Sequence, residues 1–256
     1  MLLTVPLGVR LAGAGLSRRP PGSSSPAASI GDFGTTASSN WSGYAAVGAT
    51  FDNVVGNWTE PTVSCSRGAQ YASTWVGMDG YVPGDKGQVE QAGTDSDCVK
   101  VRTKVKGHKA TITFEPLYFA WWEMYPSKVV VLPASSCPVA AGDAMTADVS
   151  DSSGAFTLTV SDATQGWQCA SEPQSSSAPA VSAEWVVEAP FSLTTGQVLK
   201  LADFGTVGFS GAQANGTPIA SLFNDAVTMR TGKVVKASTS PLGSDGESFT
   251  VTWQHA

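Results

Sequence analysis

The chain has 256 residues, enough for one large all-β domain or two small ones with a substantial core. Only 14% of them are Asp, Glu, Lys or Arg, and the formal net charge is −6. That balance excludes the basic footprint of a nucleic-acid binder, and two histidines leave little from which to build a Ser-His-Asp triad or a zinc centre.

The chain opens on Leu2 to Leu16, a mildly apolar stretch broken by Pro6 and Arg10. It is too short and too interrupted to span a membrane, and it lacks the preceding basic residue of a signal peptide. Arg18-Arg19-Pro20-Pro21 and a Ser/Pro/Ala run follow. Residues 1–36 are therefore expected to form a disordered leader, a degraded signal or the remnant of a pro-segment, with one domain over residues 37–256. No other stretch is apolar enough to cross a membrane.

From Asn40 onward the periodicity is two. Ala110 to Phe114, Met145 to Val149, Ala155 to Val160 and Ser248 to Trp253 all alternate apolar and polar residues, as half-buried antiparallel strands do. Gly84-Asp85, Ser152-Ser153-Gly154, Asn215-Gly216 and Ser244-Asp245-Gly246 supply turns between such runs. Lys100 to Lys109 reads as a solvated hairpin edge containing His108, and Ser171 to Pro179 as a long loop inside the domain. A helical turn is expected only near Ser221 to Val227. A dozen or more short strands cannot stay one open sheet, so two packed layers are expected.

Cys65, Cys98, Cys137 and Cys169 have no CxxC spacing, which argues against a metal site. The even count in a Ser/Thr-rich chain points to two disulfides, an oxidising compartment and secretion. Three connectivities, or four buried thiols, fit the count; sequential pairing is preferred. Neither a cofactor nor a metal is expected. Few ion pairs mean few carboxylates whose protonation would cost stability, which suits an acidic exterior.

Strand alternation decides which side chains share a face. Ser182, Glu184, Val186 and Glu188 lie on one side of their run, with the apolar Ala183, Trp185 and Val187 on the core side. Trp121, Glu123 and Tyr125 share a face, as do Trp75, Gly77 and Asp79. Two segments thus carry an aromatic and a carboxylate on the same side, as a cleft built on a sheet requires. Taken singly, Glu184 reads as a solvated acid, Gln91 as a surface amide, and the tryptophans as core anchors. The residues alone lead to a secreted β-sandwich with an aromatic and acidic groove. A carbohydrate-binding, lectin-like module has the same composition and stands as the alternative.

Several strings occur in a telling order: Asn40-Trp41-Ser42-Gly43-Tyr44, Trp75-Val76-Gly77-Met78-Asp79-Gly80, Gln91-Ala92-Gly93, Trp121-Trp122-Glu123-Met124-Tyr125-Pro126, Ala183 to Glu188 and Ala202-Asp203-Phe204-Gly205. In this order the chain resembles the glutamic peptidases, the eqolisin family, from about Asn40 to its C-terminus. The resemblance implies a concanavalin-like or lectin-like jelly roll of two large antiparallel sheets, with a substrate cleft on the concave sheet face. It makes Gln91 and Glu184 the catalytic pair, and Trp75, Asp79, Asp95, Trp121 and Glu123 the substrate-binding residues. Ala92 and Met124 depart from the family, which has a threonine and an aromatic there, and would alter subsite preference.

The implied activity is an acid-acting, pepstatin-insensitive endopeptidase that hydrolyses proteins and peptides as a monomer. Glu184 would take a proton from a bound water and return it to the leaving amine, and Gln91 would steady the oxyanion. A glutamate's ordinary pKa of about 4.3 suits acid operation without a large shift.

Overall fold

The structure, a computed structural model, describes residues 16–17, 35–66, 68–82, 87–103 and 109–256. Most of the expected leader, the Gly84-Asp85 turn and His108 lie outside the described residues. The alternating runs all become strands. In chain order the principal ones are β1 (Thr35–Ser38), β2 (Trp41–Val47), β3 (Asn53–Thr59), β4 (Ser73–Met78), β5 (Val89–Thr103), β6 (Thr111–Tyr125) and β7 (Ala144–Asp151). They continue with β8 (Ala155–Asp162), β9 (Ser182–Glu188), β10 (Thr206–Ala214), β11 (Phe223–Thr231), β12 (Val234–Thr239) and β13 (Phe249–Trp253).

Hydrogen bonds join these strands into one continuous antiparallel sheet in the order β8-β7-β3-β10-β13-β12-β11-β2-β9-β4-β5-β6. β1 adds to β11 in parallel. Two separate sheets were expected, but the short β12–β13 ladder (Ala237↔Trp253 to Thr239↔Val251) carries the hydrogen bonding from one half to the other. The apolar faces of both halves nevertheless supply one core. Val54 and Trp58 of β3, Met145 and Val149 of β7, and Phe156 and Leu158 of β8 share it with Val76, Ala92, Ala183 and Trp185.

Burial alternates along the outer strands as the sequence pattern requires; in β8, Phe156, Leu158 and Val160 are buried between half-buried neighbours. Phe209 stacks on Phe249 at 4.8 Å and 14°, and Tyr44 meets Phe249 edge-on. Trp185, fully buried, keeps its indole N–H satisfied on the Val55 carbonyl at 2.7 Å. Truncating such a side chain typically costs about 3–5 kcal/mol.

Disulfides pair Cys65 with Cys98 and Cys137 with Cys169, the sequential arrangement. Asn215 and Gly216, both at positive φ, turn β10 back on a short strand at Thr217–Pro218. The helical turn expected near Ser221 to Val227 is corrected: a 3-10 turn occupies Ile219–Ser221, and Phe223 onward is strand β11. The Asn224 amide donates to the Ile219 and Leu222 carbonyls and ends the turn, while Phe223 to Val227 pair with Val47 to Gly43.

Candidate active site

The site begins with register. β9 pairs with β4 so that Glu184 faces Gly77, and β4 pairs with β5 so that Gly77 faces Gln91. Gln91 in turn faces Glu123 on β6, while on the other side Glu184 faces Ala45 on β2 and Ala45 faces Asp225 on β11. Residues directly opposite across a sheet project from the same face. One row therefore reads Asp225, Ala45, Glu184, Gly77, Gln91, Glu123.

Strands lie about 4.8 Å apart, so the Glu184 and Gln91 backbones are about 10 Å apart with Gly77 between them. A side chain there would fill the interval: a Cβ on Gly77 would come to 3.0 Å from the Gln91 Cβ and the Trp75 ring. The Gln91 Nε2 donates to Glu123 Oε2 at 3.2 Å, which fixes which end of the amide faces Glu123.

The next row along the face is Val227, Gly43, Val186, Trp75, Gly93, Trp121. Trp75 lies over Gly93, where a Cβ would meet the Thr74 carbonyl oxygen at 2.2 Å and the Trp75 Cβ at 2.6 Å, so only glycine fits. Trp41, Trp75, Phe119, Trp121, Val186 and Val227 form an apolar cluster of their own, separate from the main core. Trp41 and Trp75 meet edge to face at 4.9 Å. The faces expected from alternation hold: Ala183, Trp185 and Val187 turn to the main core, Glu184 and Val186 away from it.

All seven residues expected at the site are buried and belong to this face. Glu184, Gln91, Glu123, Trp75 and Trp121 come together in the two rows. Asp79 stands at the end of β4 with φ 66°, and its carboxylate accepts the Ala180 and Val181 N–H groups at 2.8 and 2.7 Å, holding the chain that leads into β9. Asp95 lies one row beyond the tryptophans and accepts from the Ser73 hydroxyl at 2.7 Å.

Ala92 and Met124 require a correction. Both turn to the main core, on the opposite face from Gln91 and Glu123, so their departures from the family act on packing rather than on subsites. Asn40, the first of three N-x-S/T sequons, is buried and its amide donates to Glu188 Oε1 at 3.0 Å, a structural role.

Four acids with evident roles were not singled out in the sequence. Glu188 accepts from Asn40 and from the Trp75 indole at 3.0 Å, so it fixes the tryptophan that lies beside the row holding Glu184 and Gln91. Asp225 stands at the row's end and accepts from the Tyr81 hydroxyl at 3.1 Å. Burial first, and then the charges of Asp225 and Glu184, push the Tyr81 phenol above its ordinary value. Beneath the site, on the core side, burial drives Glu60 up to about 7. Glu90 rises to about 8, by burial and then by the neighbouring Asp79 charge. A full-length register is the signal that would have exposed them.

A family model, the Peptidase A4 family, matches residues 39–253. The chain belongs to the Peptidase A4 family. These are the glutamic peptidases or eqolisins, and this chain is accordingly a hydrolase of that kind. Among solved structures, scytalido-glutamic peptidase with a transition state analog inhibitor superposes with TM-score 0.66 and 20% identity, over 84% of this chain and 98% of that one. A second structure of that enzyme, with a peptide-based transition state analog, gives 0.63 and 19% over the same shares. SCP-B, an eqolisin in complex with the tripeptide Ala-Ile-His, gives 0.62 and 18%, again over 84% and 98%. At such identities the likeness speaks to the fold, an all-β antiparallel architecture of the eqolisin kind. No curated protein matches the chain.

Proposed function

We propose that this eqolisin is an acid-acting, pepstatin-insensitive endopeptidase of proteins and peptides in which Glu184 and Gln91 share one water molecule. The observation that carries the reading is the register Glu184, Gly77, Gln91, in which an acid and an amide flank a position without a side chain.

The water sits over Gly77. Glu184 removes its proton as it attacks the scissile carbonyl, then returns that proton to the leaving amine. The Gln91 amide stabilises the oxyanion; losing such a donor typically costs about 3–4 kcal/mol of transition-state stabilisation. Glu123 orients the amide, and Trp75 and Trp121 wall the site and exclude solvent. Asp79 and Asp95 complete the lining of the substrate-binding face. The folded-over sheet then acts as a two-layer sandwich with its cleft on the face that carries the row. The strands from Thr35 to Trp253 form this one domain, and the enzyme works as an extracellular monomer. Two disulfides agree with that location.

The test is hydrolysis of a denatured protein at pH 3–4 with pepstatin present. Wild type cleaves, and Glu184→Gln with an unchanged circular dichroism spectrum does not. An equal rate in the variant removes Glu184 from the reaction. Binding of polysaccharide without any hydrolysis would instead favour the lectin-like reading.

A further inference from the structure

Most carboxylates on the site face have donors from the protein. Asp79 has the Ala180 and Val181 amides, Glu188 has Asn40 and Trp75, Asp95 has Ser73, and Glu123 has Gln91. Asp225 differs. It is 4% exposed, its Oδ2 accepts from the Tyr81 hydroxyl, and its Oδ1 has no hydrogen-bond partner.

Asp225 stands across Ala45 from Glu184 just as Gln91 stands across Gly77. Ala45 adds only a methyl, so nothing bulky separates the two acids. Their backbones lie two strand spacings, about 10 Å, apart. Tyr81 reaches this place because Asp79 and Gly80, at φ 66° and 96°, reverse the chain after β4. Its ring packs against the Trp41–Trp75 cluster, and its phenol feels the charges of both Asp225 and Glu184.

We propose that Asp225, latched by Tyr81, is a positioning residue for Glu184: from the side away from Gln91 its negative charge makes Glu184 hold its proton to higher pH than glutamate otherwise would. This deepens the peptidase reading and rests on it. A negative charge held on the same poorly solvated face disfavours the ionised form of Glu184. Among the described residues, the titratable groups on the same face as Glu184 are Asp225 from β11, Tyr81 from the turn after β4, Glu123 from β6, Asp95 from β5, Asp79 at the end of β4, and Glu188 on its own strand. None of the six is basic, and Asp225 alone of the acids stands in Glu184's row on the side away from the amide. A more basic Glu184 takes the proton of the attacking water more readily, and that same proton then goes to the leaving amine in the second half of the reaction.

The experiment compares kcat/KM against pH for wild type, Asp225→Asn and Asp225→Ser on a quenched fluorescent peptide, with Glu184→Gln as the blank. In parallel, 13C-carboxyl NMR follows the Glu184 titration, its resonance identified by its loss in Glu184→Gln. Both neutral variants should move the acidic limb of the profile, and the Glu184 midpoint, down by about one pH unit. The serine variant serves if the asparagine variant does not fold. A merely structural Asp225 would lower the profile at every pH without moving the limb; that result, or an unmoved midpoint, overturns the proposal. If wild-type hydrolysis proves independent of Glu184, the peptidase reading falls, and the NMR midpoint still decides the Asp225 proposal.

Discussion

Glu60 offers a direct measure of how this fold depends on acid. It is 1% exposed, and its oxygens accept from the Trp58 indole and the Thr94 and Ser96 hydroxyls, none of which carries a charge. Burial outweighs these donors and moves its carboxyl from 4.5 to about 7. Between those values the native protein keeps a proton that the unfolded chain has released, so stability falls as pH rises. The contribution is complete below about 4.5 and gone above about 7. At 1.36 kcal/mol per pH unit that gap corresponds to about 3 kcal/mol, a large part of a typical total of about 5–15 kcal/mol. Urea unfolding of wild type and Glu60→Gln at pH 4 and pH 7.5, with disulfides intact, measures it. At pH 4, where Glu60 is protonated, the glutamine costs about 1 kcal/mol, because its NH₂ must face a hydroxyl that turns to accept. The variant should nonetheless lose about 3 kcal/mol less than wild type between the two pH values. Parallel losses in the two proteins would refute the argument.

Gly77→Ala places a methyl where the shared water is proposed, and kcat/KM should fall at least about 100-fold, a near-complete loss of the effect of one preorganised donor; a variant within threefold of wild type would put the water elsewhere. Glu123→Leu removes the acceptor that orients the Gln91 amide, so kcat should fall about tenfold or more while KM changes little, as steady-state kinetics on a single peptide will show. Trp75→Phe removes the indole donor to Glu188 and should cost about 1.5–3 kcal/mol in urea unfolding, the usual worth of a bond to a charged group; a loss under 0.5 kcal/mol would mean Glu188 does not rely on it.

Much of this fold was legible because burial follows alternation so closely. Phe156, Leu158 and Val160, or Ala183, Trp185 and Val187, could be assigned to the core from period two alone. The same rule would have turned Ala92 and Met124 inward, since each neighbours a residue placed on the opposite face. β11 was harder: Phe223 at its start is 62% exposed, and the local pattern does not distinguish a turn from a strand until Gly43 to Val47 pair with it. Glu60, Glu90 and Asp225 were invisible for a different reason. A polar residue in an alternating run reads as outward-facing, and no single strand reveals that another layer covers it. Gly77 gains its meaning only when three strands are aligned, which is information carried by the register and not by any one segment.

From Val89 to Cys98, β5 is buried on both of its faces. Its odd-numbered positions lie on the face of Glu184 and Gln91 and its even-numbered ones border the core, so a substitution made for one purpose is carried by a backbone that serves the other. On the proposed function, selectivity is therefore more easily altered from the partly exposed rim, at Tyr125 or Val131, where a changed side chain can adjust without shifting the strand that holds Gln91.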